Sequence, residues 1–403
     1  MPFKPSAVEG TVARGFESVR DAFAGNFARR GELGGACCAF VHGENVVDLW
    51  GGIRDKATGE PWQRDTMVIV YSATKGLAAM TLALAHSRGW LDYDATVASY
   101  WPAFAQNGKA HVSVRQLLAH QAGLYALDVP LTRGLVADLD RLADVLARQV
   151  PAWEPGTRQA YHGITLGFYE SELLRRVDPR HRSVGQFFAE EIAAPLGLDL
   201  YIRLPDEIPE SRFAVMTRPS ALDLLRGFPL RLALDTFNPR SRIVRALRGS
   251  ELPHDPARVY ARNLEVPSGG AVGTARAIAG AYTAFAGQGH ELGVRVETLG
   301  LLAAPAVPPS HGSYDECMKV SGIAFSLGFM KSSAAMRFGG PRSFGAPGAG
   351  GAMGFADPDA GVGYGYVTCK MGTRLSGDPR DIALRDALYD AIGRSSRPGT
   401  RAA

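Results

Sequence analysis

The chain is expected to fold as an α/β protein of the α+β kind, with an antiparallel sheet flanked by terminal helices and a helical domain inserted into it. Three observations carry this expectation. Strand-like apolar runs cluster at the two ends of the chain. Those near the N-terminus are joined by a tight turn, as in an antiparallel hairpin. The long middle has helical period. A sheet made of both ends and interrupted by helices is the economical way to bury all of these faces.

In chain order, residues 8–30 carry Val8, Phe16, Val19, Phe23 and Phe27 at helical spacing, so a helix is expected to end before Gly31. Ala36 to Val41 reads as a buried strand, His42-Gly43-Glu44-Asn45 as a turn, and Val46-Val47-Asp48-Leu49-Trp50 as the returning strand, closed by Gly51-Gly52. Met67-Val68-Ile69-Val70 is a short apolar run leading into a small-residue helix that extends to about His86. Trp90 to Asp94 turns into a helix ending near Trp101-Pro102, and Ser113 can cap one through Val114, Leu117 and Leu118. Leu135 to Val150 is expected as one helix with Leu139, Leu142, Val145 and Leu146 inside. Residues 151–160 form a loop marked by proline and glycine, and further helices begin near Gly163 and Val184.

Residues 205–262 are the least legible. Leu222 to Leu234 is apolar with interspersed arginines, and Arg240 to Arg248 is basic and amphipathic. This region fits a flap over an acyl-binding cleft, a partner-binding helix, or a helical excursion with a solvated arginine face. Val266-Pro267-Ser268-Gly269-Gly270 marks a return, and Ser268 or Thr274 can cap a helix over Ala275 to Phe285. Ile323 to Met330, Ala334 to Phe338, Gly351 to Phe355 and Tyr364 to Lys370 read as strands, with Asp357-Pro358-Asp359 as a tight turn. Asp381 to Ile392 is the final helix. The expected division is a discontinuous sheet domain of residues 1–62 and 266–393, a mainly helical domain of 63–265, and a disordered tail of 394–403.

With 46% hydrophobic and 21% charged residues, the composition is that of an ordinary globular protein with a sizeable core. The net charge is only +4, and arginines outnumber lysines 37 to 7 without clustering, so a nucleic-acid surface is not expected. The four cysteines have no metal-ligand spacing and are expected to be reduced; Cys37 and Cys38, adjacent on a strand, point to opposite faces. No run is long enough to span a bilayer and the N-terminus lacks the apolar core of a signal peptide, so a soluble cytoplasmic protein is expected.

Chemistry centres on Tyr71-Ser72-Ala73-Thr74-Lys75. Ser72 falls at a helix start, with Lys75 three residues on and on the same face of the first turn. Free N–H groups and the positive end of the dipole suit a serine oxygen that must carry developing negative charge. Taken alone, S-x-x-K occurs often by chance and fits an N-cap serine followed by a solvated lysine. The remaining histidines have no partners at suggestive spacing for a Ser-His-Asp arrangement, and there is no G-x-S-x-G elbow.

Three further segments fall into line with Ser72-Ala73-Thr74-Lys75. They are Leu117-Leu118-Ala119-His120-Gln121-Ala122-Gly123-Leu124, then Glu154-Pro155-Gly156-Thr157 leading to Tyr161-His162-Gly163, and finally Phe344-Gly345-Ala346-Pro347-Gly348-Ala349-Gly350-Gly351. Together they resemble the serine β-lactamase-like superfamily, with the class C β-lactamase and D,D-peptidase fold, nearest to the family VIII carboxylesterases. The likeness runs in order over roughly residues 30–395. It implies Ser72 as nucleophile, Lys75 and Tyr161 together as the base, and the backbone N–H groups of Ser72 and Ala349 as the oxyanion hole. In this family a lysine beside the tyrosine favours a phenolate-like base. His120 is expected to be structural.

Two departures from the family pattern bear on substrate. Y-x-N reads Tyr161-His162-Gly163, without the asparagine that contacts a β-lactam, and K-T-G reads Ala346-Pro347-Gly348, without its cation. The expected activity is therefore carboxylesterase, on a small-molecule ester with a neutral, moderately apolar acyl group. Tyr125, Trp153, His162 and Gly348 are the expected substrate-binding residues, and no metal or cofactor is expected. β-Lactamase, D,D-peptidase and acyltransferase chemistry on the same fold remain alternatives, as does an idle binding protein. The oligomeric state is left open.

Overall fold

The computed structural model describes residues 8–220, 223–224, 235, 238–247, 262, 264–287, 289–374 and 377–395. Most of Leu222 to Leu234, the end of Arg240 to Arg248 and most of the expected tail lie outside the described residues.

The chain opens with strand β1 (Val8–Val12), where a helix was expected. Its exposure alternates with period two, and it pairs antiparallel with β3 (Glu44–Gly52), Val8 facing Gly51 and Val12 facing Val47. Gly10 permits the contact: at φ +99° it lies where a side-chain Cβ would stand 2.0 Å from the Asp48 carbonyl oxygen. The helical spacing is real only from helix α1 (Glu17–Arg29) onward. Strand β2 (Gly34–Val41) follows and closes the first hairpin with β3.

After the short strand β4 (Val68–Ile69) comes α2 (Thr74–Ser87), every residue of which is buried. A helix buried all round has to be apolar or small all round, and α2 brings Gly76, Ala78, Ala79, Ala83 and Ala85 to its contacts. Short helices α3 (Val97–Tyr100) and α4 (Val114–Leu118) follow, the latter begun by a Ser113–Gln116 capping box. The single helix expected over Leu135 to Val150 is two, α5 (Arg133–Ala137) and α6 (Leu139–Arg148). Asp138 separates them because it leaves helical geometry to cap α6, its side chain accepting from Arg141 N–H. Helices α7 (Thr165–Val177) and α8 (Val184–Phe188), strand β5 (Leu200–Tyr201) and helix α9 (Arg242–Leu247) complete the helical middle.

Strand β6 (Val272–Gly273) then pairs with both β4 and β5, and Thr274 caps α10 (Ala275–Ala286). Helix α11 (Val296–Ala303) and the hairpin β7 (Tyr314–Asp315) with β8 (Val320–Ser321) lead to the last strands. These are β9 (Ala324–Ser326), β10 (Phe329–Lys331), β11 (Phe344–Pro347), β12 (Met353–Asp357) and β13 (Val362–Thr368), before α12 (Pro379–Ser395). The run expected as one strand over Ile323 to Met330 is a hairpin turned at Leu327 and Gly328, both at positive φ. Ala334 to Phe338 is turn, not strand: Ser333 and Met336 bond each other's backbones and close it.

The main sheet has the order β1-β3-β2-β13-β12-β11-β10-β9, antiparallel throughout. The N- and C-terminal segments join at β2 and β13, Val41 facing Val362 and Gly35 facing Thr368. Helices α1 and α12 cover one face, where Phe23 and Leu388 meet Cys37, Tyr364 and Tyr366. Helix α10 covers the other. It lies close because Gly354, Gly363 and Gly365 present no Cβ to Ile278, Thr283 and Ala275. Cys37 and Cys38 fall in the two different cores, and all four cysteines are buried and unpaired. No helix among the described residues is long and apolar enough to cross a membrane.

Candidate active site

Ser72 is half-buried in a single 3-10 turn, Tyr71–Ala73, between β4 and α2. The residue before it, Tyr71, has φ +46°, a conformation that residues other than glycine adopt rarely and at an energetic cost. Thr74 holds the turn, its hydroxyl donating to the Tyr71 carbonyl and accepting from Ala271 N–H at 3.0 Å. The Val70 N–H donates to the Ala271 carbonyl at 2.9 Å. The strain is therefore supported by the chain that enters β6.

Lys75, in the first turn of α2, is 3% exposed. Its Nζ donates to Ser72 Oγ at 3.3 Å, to the Gly163 carbonyl at 2.7 Å and to the Ser268 carbonyl at 2.8 Å. Three acceptors match the three N–H bonds of an ammonium. The same Nζ stands 4.8 Å from the centre of the Tyr161 ring. Ser72, Lys75 and Tyr161, some ninety residues apart in sequence, are thus brought to one point.

Tyr161 is half-buried and its ring stacks on Phe325, centroids 5.9 Å apart. Behind it, Gln159 pairs with Asp315 of β7. The Asp315 carboxyl accepts through Oδ1 from the N–H groups of Cys317, at 2.9 Å, and Met318, at 2.7 Å, while Oδ2 has no partner among the described residues. Burial pushes this carboxyl up to about 7, against the lowering effect of those N–H groups.

His120 is buried beside the Tyr161 ring, as a structural residue. Its Nδ1 accepts from His162 N–H at 3.0 Å, its carbonyl accepts from Ala160 N–H, and burial drives its pKa well down. The expectation for His162 needs correcting. It does not line a substrate cleft: it is fully buried, its Nε2 accepts from Leu124 N–H at 3.1 Å, and its Nδ1 faces the Ala160 carbonyl at 2.7 Å. Burial lowers its pKa to about 4, so the ring is a neutral brace for the loop that carries Tyr161.

Tyr125 and Trp153 stack face to face, 5.7 Å between centroids, and form with Ala160, Cys317 and Ala246 a small apolar cluster against Tyr161. Ala246 belongs to α9, which is tied down at its edges by Arg242–Glu316 at 3.0 Å and Arg245–Asp128 at 3.2 Å. The described part of the basic amphipathic stretch thus packs on this wall.

Gly348 closes the other side. A Cβ there would stand 2.1 Å from the Val70 carbonyl, so only glycine lets the end of β11 approach the segment before Ser72. Ala349 follows in an exposed turn. The turn is braced from behind, the Gly350 carbonyl accepting from Gly372 N–H at 2.9 Å and from Arg380 Nη2 at 3.0 Å.

Sequence reasoning missed the Gly163 and Ser268 carbonyls, which hold Lys75, and Asp315. A carbonyl has no side-chain signature, and Ser268 read as turn punctuation or a helix cap. The Asp in Ser313-Tyr314-Asp315-Glu316 looked like any acidic turn residue.

A serine and lysine one helical turn apart, meeting a tyrosine at the seam between an antiparallel sheet and a helical layer, define a β-lactamase-type fold and site. The chain belongs to the Beta-lactamase family, whose pattern matches residues 19–389. It is 36% identical over 293 residues to the esterase/beta-lactamase LipL of Mycobacterium tuberculosis (strain ATCC 25618 / H37Rv), a match that covers 72% of this chain and 66% of LipL. Among solved structures, a family VIII carboxylesterase superposes with TM-score 0.81 at 35% identity, covering 96% of this chain and 100% of that one. A penicillin-binding protein homologue from Caulobacter crescentus superposes with TM-score 0.83 at 34% identity, with the same coverage.

Proposed function

We propose that the chain is a serine carboxylesterase that hydrolyses short- to medium-chain esters through an acyl-enzyme on Ser72. The observation that carries this reading is the single position of Lys75 Nζ, within hydrogen-bond reach of Ser72 Oγ and against the Tyr161 ring.

A serine hydroxyl is a weak nucleophile until a placed base takes its proton. Ser72 Oγ attacks the ester carbonyl while its proton passes to the Lys75–Tyr161 pair. The oxyanion that forms is held by the N–H groups of Ser72 and Ala349, at the start of α2 and on the turn fixed by Gly348. Such a donor contributes about 2.7–4 kcal/mol to the transition state. Collapse breaks the ester C–O bond, and Tyr161 returns the proton to the departing alcohol. Water then attacks the acyl-enzyme by the same route in reverse.

The substrate class follows from what faces the site. Ala346 is 4% exposed and supplies no cation for a substrate carboxylate, and the Gly163 carbonyl is already bound to Lys75. The Tyr125–Trp153 stack offers an apolar wall for the acyl chain. A side activity on β-lactams is the second reading, favoured by the double name of LipL. The four unpaired buried cysteines fit a reducing compartment, and we assign the protein to the cytoplasm.

The test is hydrolysis of p-nitrophenyl butyrate by Ser72→Ala, which is expected to fall by more than about a thousandfold, as for the loss of a nucleophile. Wild-type turnover by that variant would overturn the reading. A chromogenic cephalosporin separates the second one.

A further inference from the structure

Of the buried ionisable groups that this mechanism does not use, one stands out for want of partners. Glu170, on α7, is fully buried, and neither carboxyl oxygen has a hydrogen-bond partner among the described residues. Buried carboxyls are ordinarily paired or hydrogen-bonded, so such a group calls for a reason. Its position supplies one. Its Oε1 lies where α7, α2 and the Leu327–Gly328 turn meet: a Cβ on Gly328 would be 2.8 Å from that oxygen and 2.6 Å from Ala79 Cβ. Ala79 is one helical turn beyond Lys75, on the same face of α2. The Lys75 charge acts on the Glu170 carboxyl, opposing the effect of burial.

The other groups around it cannot answer a charge there. Tyr93 is fully buried, its hydroxyl also lacks a partner among the described residues, and it interacts with Glu170 electrostatically. Arg115, beyond Tyr93 on α4, is held bidentate by Asp94. On α7 itself, Glu172 is taken by Arg175 and Arg176, and Arg175 also holds Asp140 of α6. The Leu327–Gly328 turn carries no charge, and neither does α8. Among the described residues, Lys75 is the cation whose charge acts on the Glu170 carboxyl.

We propose that Glu170 is a positioning residue for the catalytic set, permitting catalysis while its carboxyl is protonated and suppressing it once ionised. This rests on the reading of Ser72, Lys75 and Tyr161 above. A carboxylate behind Lys75 holds the proton on the lysine and offsets the positive charge that Tyr161 would otherwise feel. Whether the lysine amine or the tyrosine phenolate takes the Ser72 proton, less base is available, so the sign of the effect is the same. The switch itself is one ionisation: the Glu170 O–H bond breaks, the proton leaves to water, and no other bond changes. Burial pushes this carboxyl up to about 8, which places the switch just above neutrality.

The experiment measures kcat/KM for p-nitrophenyl butyrate from about pH 6 to 9 in the wild type, Glu170→Gln and Glu170→Met, with Ser72→Ala alongside. Where Glu170 is protonated, the Gln variant and wild type should agree within about twofold. The ratio of variant to wild type should then rise to at least about threefold, with its midpoint near 8. A purely structural role would scale the rate by one factor at every pH. Glu170→Met, uncharged and of similar volume, gives the same comparison should the Gln variant fail to fold. A ratio that stays flat from pH 6 to 9, with Ser72→Ala inactive, overturns this proposal alone. An active Ser72→Ala overturns the catalytic reading beneath it.

Discussion

Gly348→Ala is the smallest change that should separate the two halves of the site. The added methyl would stand 2.1 Å from the Val70 carbonyl oxygen and 3.1 Å from Ala352 Cβ. The first neighbour is backbone, two residues before Ser72, in the chain that bonds to Ala271. Neither side can yield through a side-chain rotation, so the end of β11 must retreat by about 1 Å. Misplacement of that size at a reacting centre costs on the order of a hundredfold in rate. At 1.36 kcal/mol per tenfold this is about 2.7 kcal/mol of barrier. The overpacking itself should cost about 1–3 kcal/mol of stability. We expect kcat on p-nitrophenyl butyrate to fall about a hundredfold with KM changed less than about threefold, because the oxyanion contact is made in the transition state. Circular dichroism should show the fold retained. A variant whose kcat stays within threefold of wild type would refute the claim that this approach of β11 positions the oxyanion site.

Other changes test other parts of the account. Lys75→Met should reduce kcat/KM by about 10²–10⁴, the usual range for a base, and lower the melting temperature as well, because the Gly163 and Ser268 carbonyls lose their donor. Trp153→Ala removes one face of the aromatic wall and should lower kcat/KM for p-nitrophenyl hexanoate by about three- to tenfold while leaving the acetate ester nearly unaffected. An equal loss on both esters would exclude the wall as the acyl site. The Asp315 carboxyl is raised in the folded state, so its contribution to stability is full below the unfolded value of 3.8 and is lost as pH rises through about 7. The melting temperature of Asp315→Asn minus that of wild type should therefore increase from pH 4 to pH 7, and a constant difference would contradict the burial argument.

Much of the fold was legible because period and punctuation agreed. The β2–β3 hairpin and α10 were readable within a few residues. Val8 to Val12 was misread because one apolar residue at each end of a five-residue alternation also satisfies helical spacing. The partner that decides between them, β3, lies some forty residues on. Leu135 to Val150 kept its apolar stripe across Asp138, and only the capping bond shows that the helix restarts there. At the site, the residues proposed to do the chemistry were visible as motifs, and Ser72, Lys75 and Tyr161 do converge. His162 was misassigned because adjacency to Tyr161 in sequence says nothing about which way a ring turns. Glu170 was invisible, since an acidic residue in Tyr169-Glu170-Ser171-Glu172 looks solvated until α2 and Gly328 are seen to enclose it.

The central claim is a covalent acyl-enzyme on Ser72. Intact-mass measurement after mixing the protein with a fluorophosphonate, followed by peptide mapping, tests it most directly. The account predicts one adduct per chain, located on Ser72, absent from Ser72→Ala and formed far more slowly by Lys75→Met. No adduct on a protein that still hydrolyses esters, or an adduct mapped to another residue, would contradict it.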